Sequence, residues 1–299
     1  MIRLLFRLPG QALGLCLFAT SVLAAPAGQS LSLSWVGCGI SKKAYMQEIA
    51  TLYEKKTGIH IDIAGGGATK GIREISANKV DIGGSCRFRL PHNSAESDAV
   101  MVPVAWDALV IITHPDNPVG DLTLDQLRLI YTGKLTNWNA LGGPDAPINV
   151  YVRQGNLSGV GYKLRELVFA NPDQTFTATE IFPSSGPLEK AVETDIHAIA
   201  VSGISSARKR NVKLLQLEGK EPTYENIRDG EYLLYRPLYL AYNRDGANAE
   251  EVKKFIQFVH GHEGQAVLRH NGTVPYLEAI HLVRKKLEQS KRARENAGL

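Results

Sequence analysis

Ala108-Leu109-Val110-Ile111-Ile112-Thr113-His114-Pro115-Asp116-Asn117-Pro118 is the stretch that decides the fold. Five apolar residues in a row read as a strand buried on both faces, as in α/β layers. Two prolines with Asp and Asn between them then break it. A strand this apolar that ends this abruptly marks a place where the chain leaves one layer for another. We therefore place a first crossing between two lobes here, and a return crossing at Arg236-Pro237.

Outward from that stretch, strand and helix patterns alternate, which argues for an α/β fold. Before it, residues 30–36 read as a strand. Residues 42–56 read as an amphipathic helix, with Ala44, Tyr45, Ile49, Leu52 and Tyr53 on one stripe and Gly58 ending it. Residues 59–64 and 80–83 are strands, with a short helix at 70–77 between them. After the break, 123–131, 159–168 and 250–260 read as helices, and 148–153, 198–201, 214–217 and 238–242 as strands. The expected division is residues 26–112 with 237–281 in lobe 1, residues 113–236 in lobe 2, and a polar basic tail at 282–299, helical or disordered. A chain that enters, leaves and re-enters one lobe makes a two-strand hinge, a common design for proteins that close on a ligand.

Composition sets limits on function. The 299 residues are 44% hydrophobic and 21% charged, as in packed globular proteins. Arg3 and Arg7 precede an apolar run at 12–19, and Ser21-Val22-Leu23-Ala24-Ala25 comes after it. That pattern reads as a secretory signal peptide over residues 1–25 and sends the chain to the periplasm. Cys16 follows Leu15, where a lipoprotein signal would carry a small residue, so Cys16 is expected to leave with the signal. Cys38 and Cys86 remain, and a secreted protein left with two cysteines usually pairs them. Without Arg3 and Arg7 the chain has 32 basic and 30 acidic residues; the tail holds six and two of these, leaving 26 and 28 in the body. A body so nearly neutral does not bind nucleic acid through a broad basic face. Any anion must be held by local geometry.

One local device occurs three times: Gly37-Cys38-Gly39-Ile40-Ser41, Gly65-Gly66-Gly67-Ala68-Thr69 and Gly155-Asn156-Leu157-Ser158-Gly159. Each comes after a strand, opens a helix, and carries a hydroxyl near the expected N-cap. Helix N-termini offer free N–H groups and a positive dipole end, which suit an oxyanion. Any single such loop is ordinary in α/β folds; three together argue for a site. Arg153 precedes the third loop, and Arg87 and Arg89 flank the end of the strand at 80–83. Arginine matches an oxyanion bidentately, although a surface ion pair fits Arg89 better. The eight histidines show no metal-ligand spacing, and His260-Gly261-His262 reads as a helix end. Asp81 reads as structural, Trp106-Asp107 as lining or capping the cleft, and Ser158 lacks a nucleophile-elbow context. No catalytic residue, metal or cofactor is expected.

These motifs resemble the PstS-like phosphate-binding family of periplasmic proteins, over residues 31–282. The resemblance rests on Tyr53-Glu54-Lys55-Lys56-Thr57-Gly58, Val80-Asp81-Ile82-Gly83-Gly84-Ser85, His114-Pro115-Asp116-Asn117-Pro118-Val119, Ile130-Tyr131-Thr132-Gly133-Lys134-Leu135-Thr136-Asn137-Trp138, Val152-Arg153 through Ser158-Gly159, and Arg236-Pro237-Leu238-Tyr239-Leu240. It implies a type II periplasmic binding fold, two α/β lobes with an oxyanion between them, no cofactor, no enzymatic activity, and a membrane permease or sensor kinase as partner to a monomer. The implied ligand-binding residues are Cys38, Gly39, Ser41, Gly67, Ala68, Thr69, Cys86, Arg87, Arg153, Ser158 and Gly159. The chain departs from the family pattern at Ala68, where a serine is usual, at Gln154 in the strict register of the basic residue, and at Val160 in place of threonine. The sharpest departure is Cys86, where the resemblance implies an aspartate that accepts a hydrogen bond from protonated phosphate.

Three readings of the cysteines stand side by side. They form a disulfide between neighbouring loops, they make a thiol site for a soft ligand such as trivalent arsenic, or they do redox chemistry, for which no C-x-x-C motif exists. A module that kept the fold and lost its ligand is the alternative of another class, favoured by Ala68, Gln154 and Val160.

Overall fold

The computed structural model describes residues 31–296. The signal peptide expected at residues 1–25, with Cys16, lies outside them. A ten-stranded sheet runs through the molecule. Its first part is built from β1 (Ser32–Gly37), β2 (His60–Gly65) and β3 (Ile82–Ser85). The long strand β4 (Ala99–Thr113) comes next. The second part holds β5 (Asn149–Arg153), β6 (Glu180–Phe182) and β7 (Ala198–Gly203), and β8 (Tyr235–Asn243) returns to the first. The order is β2-β1-β3-β8-β4-β7-β5-β6. β1 pairs in parallel with β2 and β3, β5 in parallel with β6 and β7, and the central pairings through β8 and β4 are antiparallel.

β4 is the element common to both halves. Up to Ala108 its partner is β8, and from Leu109 onward its partner is β7. The strand expected at 108–113 is therefore only its second part. The first part escapes the sequence pattern because Pro103 looks like a strand end. Proline cannot donate to a ladder and needs an edge or a bulge; here the register between β4 and β8 shifts at Leu238/Tyr239, with Tyr239 opposite Pro103. The strand expected at 214–217 is two pieces. Lys213–Leu214 pairs with β4, while Gln216–Leu217 pairs with Asp121–Leu122.

Helices cover the sheet. The first, α1, starts at Gly39–Ser41, passes a π turn at Lys42–Met46 and continues over Gln47–Thr57. Gly58 ends it in the left-handed conformation, φ 76°, as the sequence predicts. Ala44, Tyr45, Ile49 and Tyr53 are buried, but Leu52 is 36% exposed and falls off the stripe. The π turn adds a residue early in the helix and rotates the later turns, so a constant 3.6-residue period misplaces Leu52. Tyr53 meets Phe255 edge-on at 5.1 Å, a contact worth about 0.5–1.5 kcal/mol beyond burial. The longer helices that follow are α2 (Ala68–Ser76), α3 (Leu124–Tyr131), α4 (Gly159–Leu164, continuing as a π turn over Arg165–Phe169), α5 (Ser185–Val192), α6 (Ala249–His260), α7 (His262–His270) and α8 (Leu282–Asn296), with short helical turns at Ile204–Ala207 and Tyr224–Arg228. The Tyr53–Phe255 contact ties α1 to α6. His260-Gly261-His262 is the junction of α6 and α7, and the basic tail is helical over Leu282–Asn296.

Candidate functional site

Four helices begin on one cavity of about 690 Å³, a size common for small-molecule sites. Its lining includes Cys38, Gly39 and Ile40 at the start of α1, Gly65 to Thr69 at the start of α2, and Ser158, Gly159 and Val160 at the start of α4. Pro183, Ser184 and Ser185 at the start of α5 complete it, with Cys86, Arg153, Gln154, Gly155, Asn156 and Leu157. Two of these helices come after strands of the first half of the sheet, and two after strands of the second. The first-turn N–H groups of a helix have no intrahelical acceptor. Four such ends on one space make a strongly anion-seeking surface.

The three loops converge as the sequence suggests, but their caps differ. In the first, Cys38 is the N-cap: its Sγ accepts from the Ser41 N–H at 3.3 Å. Ser41 is fully buried, its Oγ lies 3.1 Å from Cys38 Sγ, and it does not line the cavity. In the second, Gly67 is the N-cap with φ 91°, a conformation that favours glycine. Ala68 and Thr69 come next, inside the helix, and Thr69 Oγ1 donates to the Leu157 carbonyl at 2.8 Å. Only Ser158 is a hydroxyl cap, accepting from the Gly161 N–H at 3.2 Å. The fourth helix start, Ser184-Ser185, is missed by the sequence pattern. A proline followed by Ser-Ser ahead of an apolar periodic run is the signal available for it.

The two arginines separate. Arg153 lines the cavity. It donates to Ser185 Oγ at 2.8 Å and to the Pro183 carbonyl at 2.9 Å, and its Nε is buried without a partner among the described residues. Arg87 does not line the cavity. Its fork grips Glu96 at 2.8 and 2.7 Å, and both side chains are fully buried. Burial pushes the Glu96 carboxyl up, but the Arg87 hydrogen bonds and the Leu90 N–H outweigh this and hold it below its ordinary range. Arg87 also donates to Thr69 Oγ1 at 3.0 Å and to the Leu157 carbonyl at 3.3 Å. A guanidinium with its donors committed in this way braces the loops, and Arg153 is the arginine that faces the cavity. Arg89 donates to the Ser97 carbonyl and also lies off the cavity. Asp81 accepts from Ser34 and Asn248, the structural role expected of it.

Beneath the cavity lies a charge pair the sequence does not reveal. Arg236 in β8 donates to Asp107 Oδ2 in β4 at 3.0 Å, both side chains being fully buried. Arg236 also reaches the Gly159 carbonyl at 3.3 Å. Gly159 presses onto the opposite loops. A Cβ on it would fall 2.2 Å from Cys86 Sγ and 3.1 Å from the Ala68 Cβ. Lys43 of α1 reaches Glu189 of α5 at 3.4 Å.

Cys38 and Cys86 are both buried free thiols that line the cavity, so the disulfide reading is not realised here. They share a hydrogen bond that polarises the pair. Burial, then the bond to Cys86, push the Cys38 thiol well up. Cys86 is lowered to about 6, first by the Cys38 hydrogen bond, then, against burial, by Arg236 and Arg153. The pair is thus biased towards a protonated, donating Cys38 and an accepting Cys86 sulfur.

A model of the PBP superfamily domain matches residues 36–263. Phosphate-binding protein PstS of Bacillus subtilis is 25% identical over 249 residues, 82% of this chain and 80% of its own length. A protein of Clostridium perfringens, solved with bound phosphate and assigned as the substrate-binding protein of a phosphate ABC transporter, is 31% identical. It superposes with a TM-score of 0.74 over 82% of this chain and 99% of its own. An ABC-type phosphate transport receptor of Vibrio cholerae is 26% identical, with a TM-score of 0.63 over 82% and 99%. These matches, with the sheet order and the cavity ringed by helix starts, place the chain in the PBP superfamily. It belongs to the PstS-like family, which has the type II periplasmic binding fold and consists of binding receptors rather than enzymes.

Proposed function

We propose that this protein captures a small tetrahedral oxyanion of the phosphate class between its two lobes and presents it to a membrane partner. The observation that carries this is the meeting of four helix N-termini and Arg153 on one cavity. First-turn N–H groups of α1, α2, α4 and α5 surround the anion, Ser158 and Ser185 add hydroxyls, and Arg153 supplies charge. Cys86 occupies the place of the family's carboxylate. A neutral thiol accepts weakly, but a thiolate accepts well, so the lowered thiol restores an acceptor for a protonated oxyanion. The hinge lies where β4 changes partner after Ala108 and where β8 begins at Tyr235. Lobe 2 is the portion of chain between those points. The signal peptide delivers the protein to the periplasm as a monomer, and the ligand-loaded form is read by an ABC permease. The relatives named as components of phosphate transport support a permease over a sensor kinase.

The thiol pair favours a second reading, a trivalent arsenic oxyacid. Each sulfur would replace one hydroxyl on arsenic, forming an S–As bond; the departing hydroxide leaves as water with the thiol proton of Cys38 or, at a Cys86 thiolate, with a proton from solvent. Thiolates prefer such soft centres. A thermal-shift panel of phosphate, arsenate, sulfate and arsenite separates the readings. Oxyanion capture predicts stabilisation by phosphate or arsenate, by about 2.7 kcal/mol at a hundredfold excess over Kd, with Cys86→Ser retaining most of it. Stabilisation by arsenite alone, lost in Cys86→Ser, would replace the first reading with the second. No shift with any member leaves a ligand-free interaction module.

A further inference from the structure

Four large apolar side chains face water on successive turns near the end of the described chain. Leu277 is 59%, Ile280 52%, Val283 44% and Leu287 73% exposed. Spacings of three, three and four residues put them on one face of the helical run that passes from the short turn Tyr276–Ala279 into α8. The opposite face holds this run to the body. Leu282 and Gln289 are buried there, and Gln289 Nε2 donates to the Tyr235 carbonyl at 3.2 Å. Lys285 Nζ, beside them, donates to the Asp229 carbonyl at 2.6 Å. Among the described residues the apolar stripe is thus not a packing face.

Cations share the stripe. Arg284 and Lys291 are exposed, each four residues beyond a stripe residue, Ile280 and Leu287. Lys291 also reaches Glu295 at 3.7 Å, and exposed Glu288 adjoins Leu287. Across residues 282–299 six basic residues stand against two acidic ones.

We propose that this face, from Leu277 through α8, rests on an anionic lipid surface. A helix with apolar side chains flanked by Lys and Arg, and held from behind, has the build of an interfacial helix: its apolar face enters the headgroup boundary while its cations meet lipid phosphates. A second copy would set one basic face against another, so charge favours lipid over self-association.

The test is co-sedimentation of the full chain with vesicles of phosphatidylcholine, with or without phosphatidylglycerol. The apolar stretch at 12–19 can itself bind bilayers, so the readout is the difference between the native chain and its variants. Stronger partition onto the phosphatidylglycerol vesicles is expected. It should fall about tenfold or more in Arg284→Glu/Lys291→Glu, at roughly fivefold per cation. A similar fall is expected in Ile280→Gln/Leu287→Gln, and a smaller one for the native chain in high salt. Since all four positions are exposed, thermal stability and phosphate affinity should not move. Equal partition of native and variant chains overturns the proposal. So does a native dimer that Ile280→Gln/Leu287→Gln dissociates, because the stripe would then be a protein contact.

Discussion

Gly159→Val is expected to lose tight oxyanion binding while the fold survives. Gly159 opens α4 on one side of the cleft, and a Cβ there would fall 2.2 Å from Cys86 Sγ and 3.1 Å from the Ala68 Cβ on the other side. Neither neighbour can retreat easily. Cys86 is 1% and Ala68 2% exposed, both held in loops braced by Arg87 and Glu96. Overpacking of this kind costs roughly 1–3 kcal/mol, and each 1.4 kcal/mol is about tenfold in affinity. Gly159→Ala should therefore weaken phosphate about five- to hundredfold, and valine should reach or pass the upper end. The clash arises only where the two halves meet, so an open form escapes it and the unfolding midpoint should move little. A Gly159→Val protein that binds phosphate as the native chain does would show that the loops need not meet on ligand capture.

The second large effect is on stability. Asp107→Ala should cost about 3–5 kcal/mol, because it leaves the buried Arg236 guanidinium without its carboxylate. Burial pushes the Asp107 carboxyl up, and Arg236 pulls it back. The pair joins β4 and β8, the two strands at which the chain passes between halves, so its loss should loosen the hinge as well as the core. Urea unfolding measures this. Replacing both partners, Asp107→Leu with Arg236→Met, should recover much of the loss, since apolar residues carry no stranded charge. An Asp107→Ala chain within about 1 kcal/mol of the parent would mean that water reaches Arg236, contrary to its burial.

Much of this is legible along the chain. Alternating periodicity marks the α/β layers, and three Gly loops before helices mark three of the four helix starts on the cavity. Cys38 and Cys86, expected to face the cleft, do line it. The features that escape depend on partners distant in sequence or on local irregularity. Arg87 looks as available as Arg153 until Glu96 folds back onto it. Asp107 and Arg236 are 129 residues apart, and nothing local predicts their pairing. Ser41 reads as a hydroxyl cap, yet the thiol of Cys38 takes that role at the helix start. Pro103 hides half of β4 because the bulge that tolerates it involves β8, far along the chain. Leu52 is misplaced because a π turn leaves no mark in hydrophobic spacing.

The proposed capture rests on four helix starts and Arg153 holding a tetrahedral oxyanion. Calorimetric titration of phosphate into the native chain and into Arg153→Ala tests it most directly. The native protein should titrate with one site per chain. Arg153→Ala should lose about tenfold to a hundredfold in affinity, in line with roughly 1.5–3 kcal/mol for hydrogen bonds to charged groups. Heat of binding that is unchanged in Arg153→Ala, or no heat with phosphate at all, would contradict it.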